Sequence, residues 1–299
     1  MAFFIETYLL IIFLLVVLFF TYAEKRHGSR EMNIDRRVLD AVQVNVPLRM
    51  LYETYSDVFL KFGLNPEIGL DADALENFSV LEVKEIVLPF HRKNRSITVH
   101  GPFLDLSPGS PDPAIREITR HRFGQLLTFV SVLKPKSVVC HLGYEEDRYG
   151  YIKETWFEKS LTMWAWFGEE LRKAGSCLMI ENVYEHLPDD MLPFFQRLQQ
   201  HQVGFCLDVG HQAVFGKVPL SSWMKILGLY IGQIHLHDNR GERDEHLPLG
   251  KGDIDFSPII HFLRNRHALP IITLEPHEEK DLWPSLAYLK DVFSLFETG

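Results

Sequence analysis

From residue 41 onward, short apolar runs alternate with longer stretches whose apolar positions recur at helical spacing. Eight runs read as strands: AVQVNVP (41–47), PEIGLD (66–71), SITVHG (96–101), SVVCHLG (137–143), LMIENV (178–183), VGFCLDVG (203–210), IGQIHLHD (231–238) and PIITLEP (270–276). Their hydrophobicity is nearly continuous, as in parallel strands covered on both faces. Helical stretches lie between them. AIREITRHRFGQLLTFVSVL (114–133) follows Asp112 and Pro113, which suit an N-cap and a first turn. TWFEKSLTMWAWFGEELRKAG (155–175) stops on Gly175, and DLWPSLAYLKDVFSLF (281–296) closes the series. Strand–helix alternation without a Pro/Gly/Ser-rich linker predicts an α/β chain with one (β/α)8 TIM barrel over 32–299. An open doubly wound sheet is the weaker alternative, because no GxGxxG follows the first strand.

The barrel is preceded by AFFIETYLLIIFLLVVLFFTYA (2–23), about the length of a bilayer-spanning helix. Lys25, Arg26 and Arg30 follow it and no cation precedes it, unlike a signal peptide. Residues 1–31 are therefore expected to be a single N-terminal hydrophobic helix anchoring a cytoplasmic barrel to the inner face of the membrane. Two competing readings are an apolar helix docked on protein, and translation that starts at Met32.

Composition narrows the class further. Cys140, Cys177 and Cys206 form no CxxC pair and leave an odd thiol, which fits a reducing compartment. A net charge of −9 weighs against a broad nucleic-acid surface. The clearest basic cluster, HRKNR (91–95), precedes the third strand and so belongs at the bottom of the barrel.

Ionisable residues interrupt the apolar strands at their ends: His100, His141, Glu181, Asp208 with His211, His235 and Glu275. In a barrel those ends face one mouth, where active sites are built. Glu181, Asp208 and Glu275 would crowd three anions there, and like charges at such range demand a cation or protons. Mixed histidine and carboxylate ligation suits divalent zinc, manganese, iron or cobalt. The stretch IHLHDNRGERDEHLPLGKGDI (234–254) fits this picture: Asp244 and His246, two residues apart, can return to the mouth together. His237 and Asp238 read as local loop and supporting groups.

The motifs VHGPFLDL, VVCHLGY, MIENV, CLDVGH, IHLHDNRGERDEHLPLGKGDI and TLEP together resemble the xylose isomerase-like TIM-barrel superfamily from about residue 41 to the end. That superfamily holds sugar and sugar-phosphate isomerases and epimerases, and abasic-site nucleases of the endonuclease IV type. Similarity to the first group implies one ion on Glu181, Asp208, His235 and Glu275, with Glu181 and Glu275 exchanging a proton next to a carbonyl. His211 would bind substrate oxygen, and Arg148, Arg240, Arg243 and Lys251 a phosphate. Similarity to the second group implies three zinc ions on His100, His141, Glu181, Asp208, His211, His235, Asp244, His246 and Glu275. The reading taken first is a zinc- or manganese-dependent isomerase or epimerase of a sugar or sugar phosphate, because basic mouth loops suited to DNA are missing. The alternatives are a three-zinc phosphodiesterase acting on abasic-site DNA, and a metal-binding barrel without catalysis. No signal bears on oligomeric state.

Overall fold

Each apolar run forms a strand, and all eight pair in parallel in the order β1 to β8, with β1 closing on β8. The computed structural model describes residues 35–294. The strands are β1 Val42–Pro47, β2 Asn65–Gly69, β3 Thr98–His100, β4 Ser137–His141, β5 Cys177–Glu181, β6 Gly204–Asp208, β7 Ile231–Leu236 and β8 Ile271–Leu274. The main helix after each is α1 Ser56–Phe62, α2 Val80–Arg92, α3 Pro113–Leu133, α4 Lys153–Lys173, α5 Pro188–Leu198, α6 Leu220–Leu227, α7 Ser257–Arg264 and α8 Glu279–Ser294. The segment read as a membrane anchor, and the boundary placed after residue 31, lie outside the described residues. Among the described residues no helix is long and apolar enough to cross a membrane.

Local chemistry starts and stops the helices where the sequence suggests. Asp112 caps α3 by accepting from the Ala114 N–H at 2.8 Å, with Pro113 in the first turn. Ser79 and Glu82 form a reciprocal capping box on α2. The 91–95 cluster ends α2 below the barrel, where Arg95 donates to Asp40 at 2.7 Å and to the Gly63 carbonyl at 2.9 Å. It is tied into the structure on the face away from the mouth.

Alternate strand residues point inward, and the two halves of the barrel interior differ. Val139, Met179 and Cys206, with Cys177 against them, form an apolar cluster. Gly204 and Gly232 leave the room that the Met179 thioether fills. The opposite half is polar. The Glu67 carboxylate, fully buried on β2, accepts from Thr98 Oγ1 at 2.8 Å, Gln233 Nε2 at 2.5 Å and Thr273 Oγ1 at 3.1 Å. Ser137 Oγ donates to the Gln233 amide oxygen at 2.6 Å. This network floors the mouth and is satisfied, as a buried polar layer must be.

Candidate metal centre

His100, His141, Glu181 and Asp208 are the last residues of β3 to β6; His235 precedes the end of β7, and Glu275 follows β8. Strand register sets His141 beside Glu181 and Asp208 beside His235. The nine sequence-predicted ligands, joined by His237, converge into three groups, within each of which the donor atoms lie within 4.8 Å of one another. One is His100, His141 and Glu181; the second is Glu181, Asp208, His235 and Glu275; the third is His211, His237, Asp244 and His246. Glu181 belongs to two groups, so these two adjoin.

Second contacts fix which ring nitrogen faces the centre. A carbonyl can only accept, so Nδ1 of His100, His211 and His246 carries the hydrogen donated to the carbonyls of Gly101 (3.0 Å), Asn182 (3.1 Å) and Glu275 (3.0 Å). Their Nε2 atoms then point inward: that of His100 lies 3.2 Å from Glu181, and those of His211 and His246 lie 3.2 Å from Asp244. His235 is reversed. Its Nε2 lies 3.0 Å from Glu67, and its Nδ1 lies 3.1 Å from Glu181 and 3.0 Å from Glu275. Anchoring one nitrogen to a carbonyl or carboxylate while the other is left for a metal is the usual arrangement around such sites.

The third group depends on the loop after β7. The Asp238 carboxylate accepts from the backbone N–H groups of Asn239 (2.9 Å), Gly250 (3.0 Å), Gly252 (2.8 Å) and Ile254 (3.2 Å). Backbone bonds between Asp238 and Leu247, at 2.9 and 2.7 Å, close the loop across itself. A Cβ at Gly252 would collide with the backbone of Asn239. His246 is held with φ at 50°, a left-handed conformation that costs energy in a non-glycine residue. That cost is offset by the loop, and the conformation turns the imidazole into the mouth.

The electrostatics reflect crowding of opposite charges. Burial pushes Glu181 upward, but His235, His100 and His211 more than offset it, and the carboxyl lies well below its ordinary range. Burial sends His141 down to about 3, keeping it neutral as a ligand must be. At His246 burial is overcome by Asp244 and Glu275, and the ring rises to about 8. Glu185, buried between the β4 and β5 loops, is driven up to about 7 by burial. It accepts from the N–H groups of Tyr144 at 3.2 Å and Val183 at 2.7 Å.

The donor chemistry fits divalent ions. Asp208 Oδ2, Asp244 Oδ1 and both ring nitrogens of His237 are buried without a hydrogen-bond partner among the described residues, with His237 Nε2 3.2 Å from Asp208 Oδ1 and its Nδ1 3.6 Å from Asp244 Oδ1. Such groups are costly unless something charged meets them. His237 stacks on His246 with centroids 3.8 Å apart, and Gly210 must lack a Cβ for its ring to fit. The sequence pattern places His237 only among supporting groups; its alternation with His235 is the signal that could have found it. Glu67 escapes the sequence pattern because an acid inside an apolar strand shows its facing only through register.

His100, His141, Glu181, His211, Asp244, His246 and Glu275 line a cleft of about 510 Å³, shared with Asn45, Asp71, Phe103, Tyr184, Phe215 and His277, while Asp208, His235 and His237 are buried out of its lining. The four cations expected to hold phosphate are placed differently. Arg240, Arg243 and Lys251 are exposed and absent from the lining, and Arg240 is drawn instead to Glu245 at 2.6 Å within its own loop. Arg148 lines a neighbouring cavity and faces Glu145 at 3.9 Å.

A family model described as xylose isomerase-like TIM barrel matches residues 65–292. The uncharacterized protein MJ1311 of Methanocaldococcus jannaschii is 26% identical over 207 residues, spanning 67% of this chain and 70% of that protein. Among solved structures, the TTHB071 protein of Thermus thermophilus, from a crystal soaked with zinc chloride, is 25% identical with a TM-score of 0.71, covering 85% of this chain and 98% of its own. The D-psicose 3-epimerase of Clostridium cellulolyticum, solved with D-tagatose, shares the fold at 18% identity and a TM-score of 0.68, covering 85% and 99%. An L-ribulose 3-epimerase and a D-tagatose 3-epimerase-like protein are also among the structural neighbours.

Proposed function

The chain belongs to the xylose isomerase-like TIM-barrel family, and we propose that it is a divalent-metal-dependent phosphoester hydrolase whose mouth holds more than one ion. The observation that carries this reading is the set of three adjoining ligand groups, two of them sharing Glu181. Chemistry on one ion needs a single group, and would leave His100, His141, His246 and Asp244 at the cleft without a task. Zinc or manganese held by these groups would supply Lewis-acid charge to the phosphoryl oxygens and a nucleophile at neutral pH.

The chain's own residues do the rest. Asn45 donates to Glu275 at 3.3 Å and to Glu67 at 3.4 Å, holding the floor and one wall in register. Phe103 and Tyr184 give the cleft an aromatic wall. His277, outside the ligand groups but in the cleft lining, stacks on His246 with centroids 3.7 Å apart and so backs its ring. No Lys or Arg lines the cleft among the described residues, which favours a small ester over a wrapped nucleic-acid duplex.

The group Glu181, Asp208, His235 and Glu275 supports a second reading, a sugar or sugar-phosphate isomerase or epimerase using Glu181 and Glu275 for proton transfer. The epimerase neighbours favour it at the level of fold. One comparison separates the two. The metal-loaded chain is assayed on nitrophenyl phosphate mono- and diesters and, in parallel, on ketoses and ketose phosphates. Hydrolysis that falls about 100-fold in His141→Ala, the scale for losing one element of transition-state charge stabilisation, supports the hydrolase. Epimerisation that survives His141→Ala, with no ester cleaved, supports the isomerase.

A further inference from the structure

Beside the cleft lies a second cavity of about 380 Å³, between the loops that follow β3 and β4. The two are not separate. Phe103, His141, Val183 and Tyr184 line both, and Phe103 stacks on His141 with centroids 4.3 Å apart while its edge meets His100 at 5.5 Å. Whatever fills the cavity therefore sits against the residues that hold the His100, His141 and Glu181 group.

The walls identify the chemistry. Phe103, Leu104, Ile115 and Tyr184 are 46%, 77%, 37% and 47% exposed, unusual for large apolar side chains gathered at one place. Two of the uncharged polar groups inside are already paired: Ser107 Oγ and the Tyr149 hydroxyl bond each other at 3.0 Å. Arg148 is the one Lys or Arg in the lining among the described residues, against Asp105 and Glu145, so no positive field draws a second phosphate. A flat, uncharged ring matches this site, since aromatic surface gains from burial and from stacking on Phe and Tyr.

We propose that this side cavity binds the ring of the substrate, an aryl group or a nucleobase, while the ester phosphate occupies the cleft; the proposal rests on the phosphoester reading above. It narrows the substrate to ring-bearing phosphoesters.

The test is calorimetric titration of the metal-loaded full chain with methylphosphonate, phenylphosphonate and a nucleoside phosphonate, none of which can be hydrolysed as an ester. A ring should tighten binding about tenfold or more, from the apolar area removed from water. Preference for the phenyl or the nucleoside compound distinguishes the two ring sources. Ile115→Trp fills the cavity and should bring phenyl and methyl affinities together, whereas Ile115→Ala enlarges it and should favour a naphthyl ring. Equal affinity for methyl- and phenylphosphonate, or a phenyl preference untouched by Ile115→Trp, overturns the proposal. Turnover is scored separately: ring preference without hydrolysis of any phosphoester leaves the cavity's role standing and removes the hydrolase reading.

Discussion

Glu67 sits in the middle of β2 with no solvent exposure, 3.0 Å from the outward nitrogen of His235. Burial raises its pKa, but His235 lowers it further, so the carboxylate stays charged. Its hydroxyl and amide donors from Thr98, Thr273 and Gln233 allow that charge to persist in the interior. Glu67 thus acts on the centre chiefly through His235, by fixing its ring and strengthening its inward nitrogen, and at longer range through Asn45, which bridges it to Glu275. Removing such a partner typically weakens metal binding about 10–100-fold. Glu67→Gln, which keeps the shape, should show that loss in a zinc-chelator competition while retaining the native circular dichroism. Unchanged affinity in a folded variant would mean His235 needs no charged partner.

Among the elements, the loop after β7 is organised around Asp238. Its carboxylate takes four backbone hydrogen bonds from residues up to 16 positions away. Asp238→Ala should release the segment carrying Asp244 and His246, making Arg240 and Arg243 open to trypsin at a concentration that spares the native loop. Equal digestion of both proteins would assign the loop's order to other contacts. The strand ends are legible in the sequence because His and Glu break apolar runs, and Asp112 with Pro113 announces α3. The polar half of the barrel interior is not, because Gln43, Thr98, Gln233 and Thr273 look the same in a strand whether they face solvent or the axis. Only register decides, and register comes from closure of the sheet. Arg240 shows the converse limit: its place in a mouth-side loop is foreseeable, but its pairing with Glu245 is not.

At the scale of the whole molecule, barrel closure gathers charges from six strands, and folding is therefore linked to pH and to metal. Glu185 gives the clearest proton linkage. Its folded value of about 7 lies above an unfolded value near 4.5, so the native state binds the proton more tightly. Its stabilising effect is complete below the lower value and is lost as pH rises through the upper one. At about 1.4 kcal/mol per pH unit, the metal-free wild type should lose on the order of 3 kcal/mol relative to Glu185→Gln between about pH 4.5 and 7.5, measured by urea unfolding. A pH-independent difference would show that burial does not hold the proton there. Whether the mouth holds several ions is decided by counting them. The full chain, purified without chelator or a metal-affinity tag and dialysed against dilute zinc, should retain one ion for each of the three ligand groups by elemental analysis. Substituting His211 should remove the ion of the third group and leave the others. A chain that holds at most one ion, lost when Asp208 or Glu275 is replaced and indifferent to His100, His141 and His211, would contradict the account.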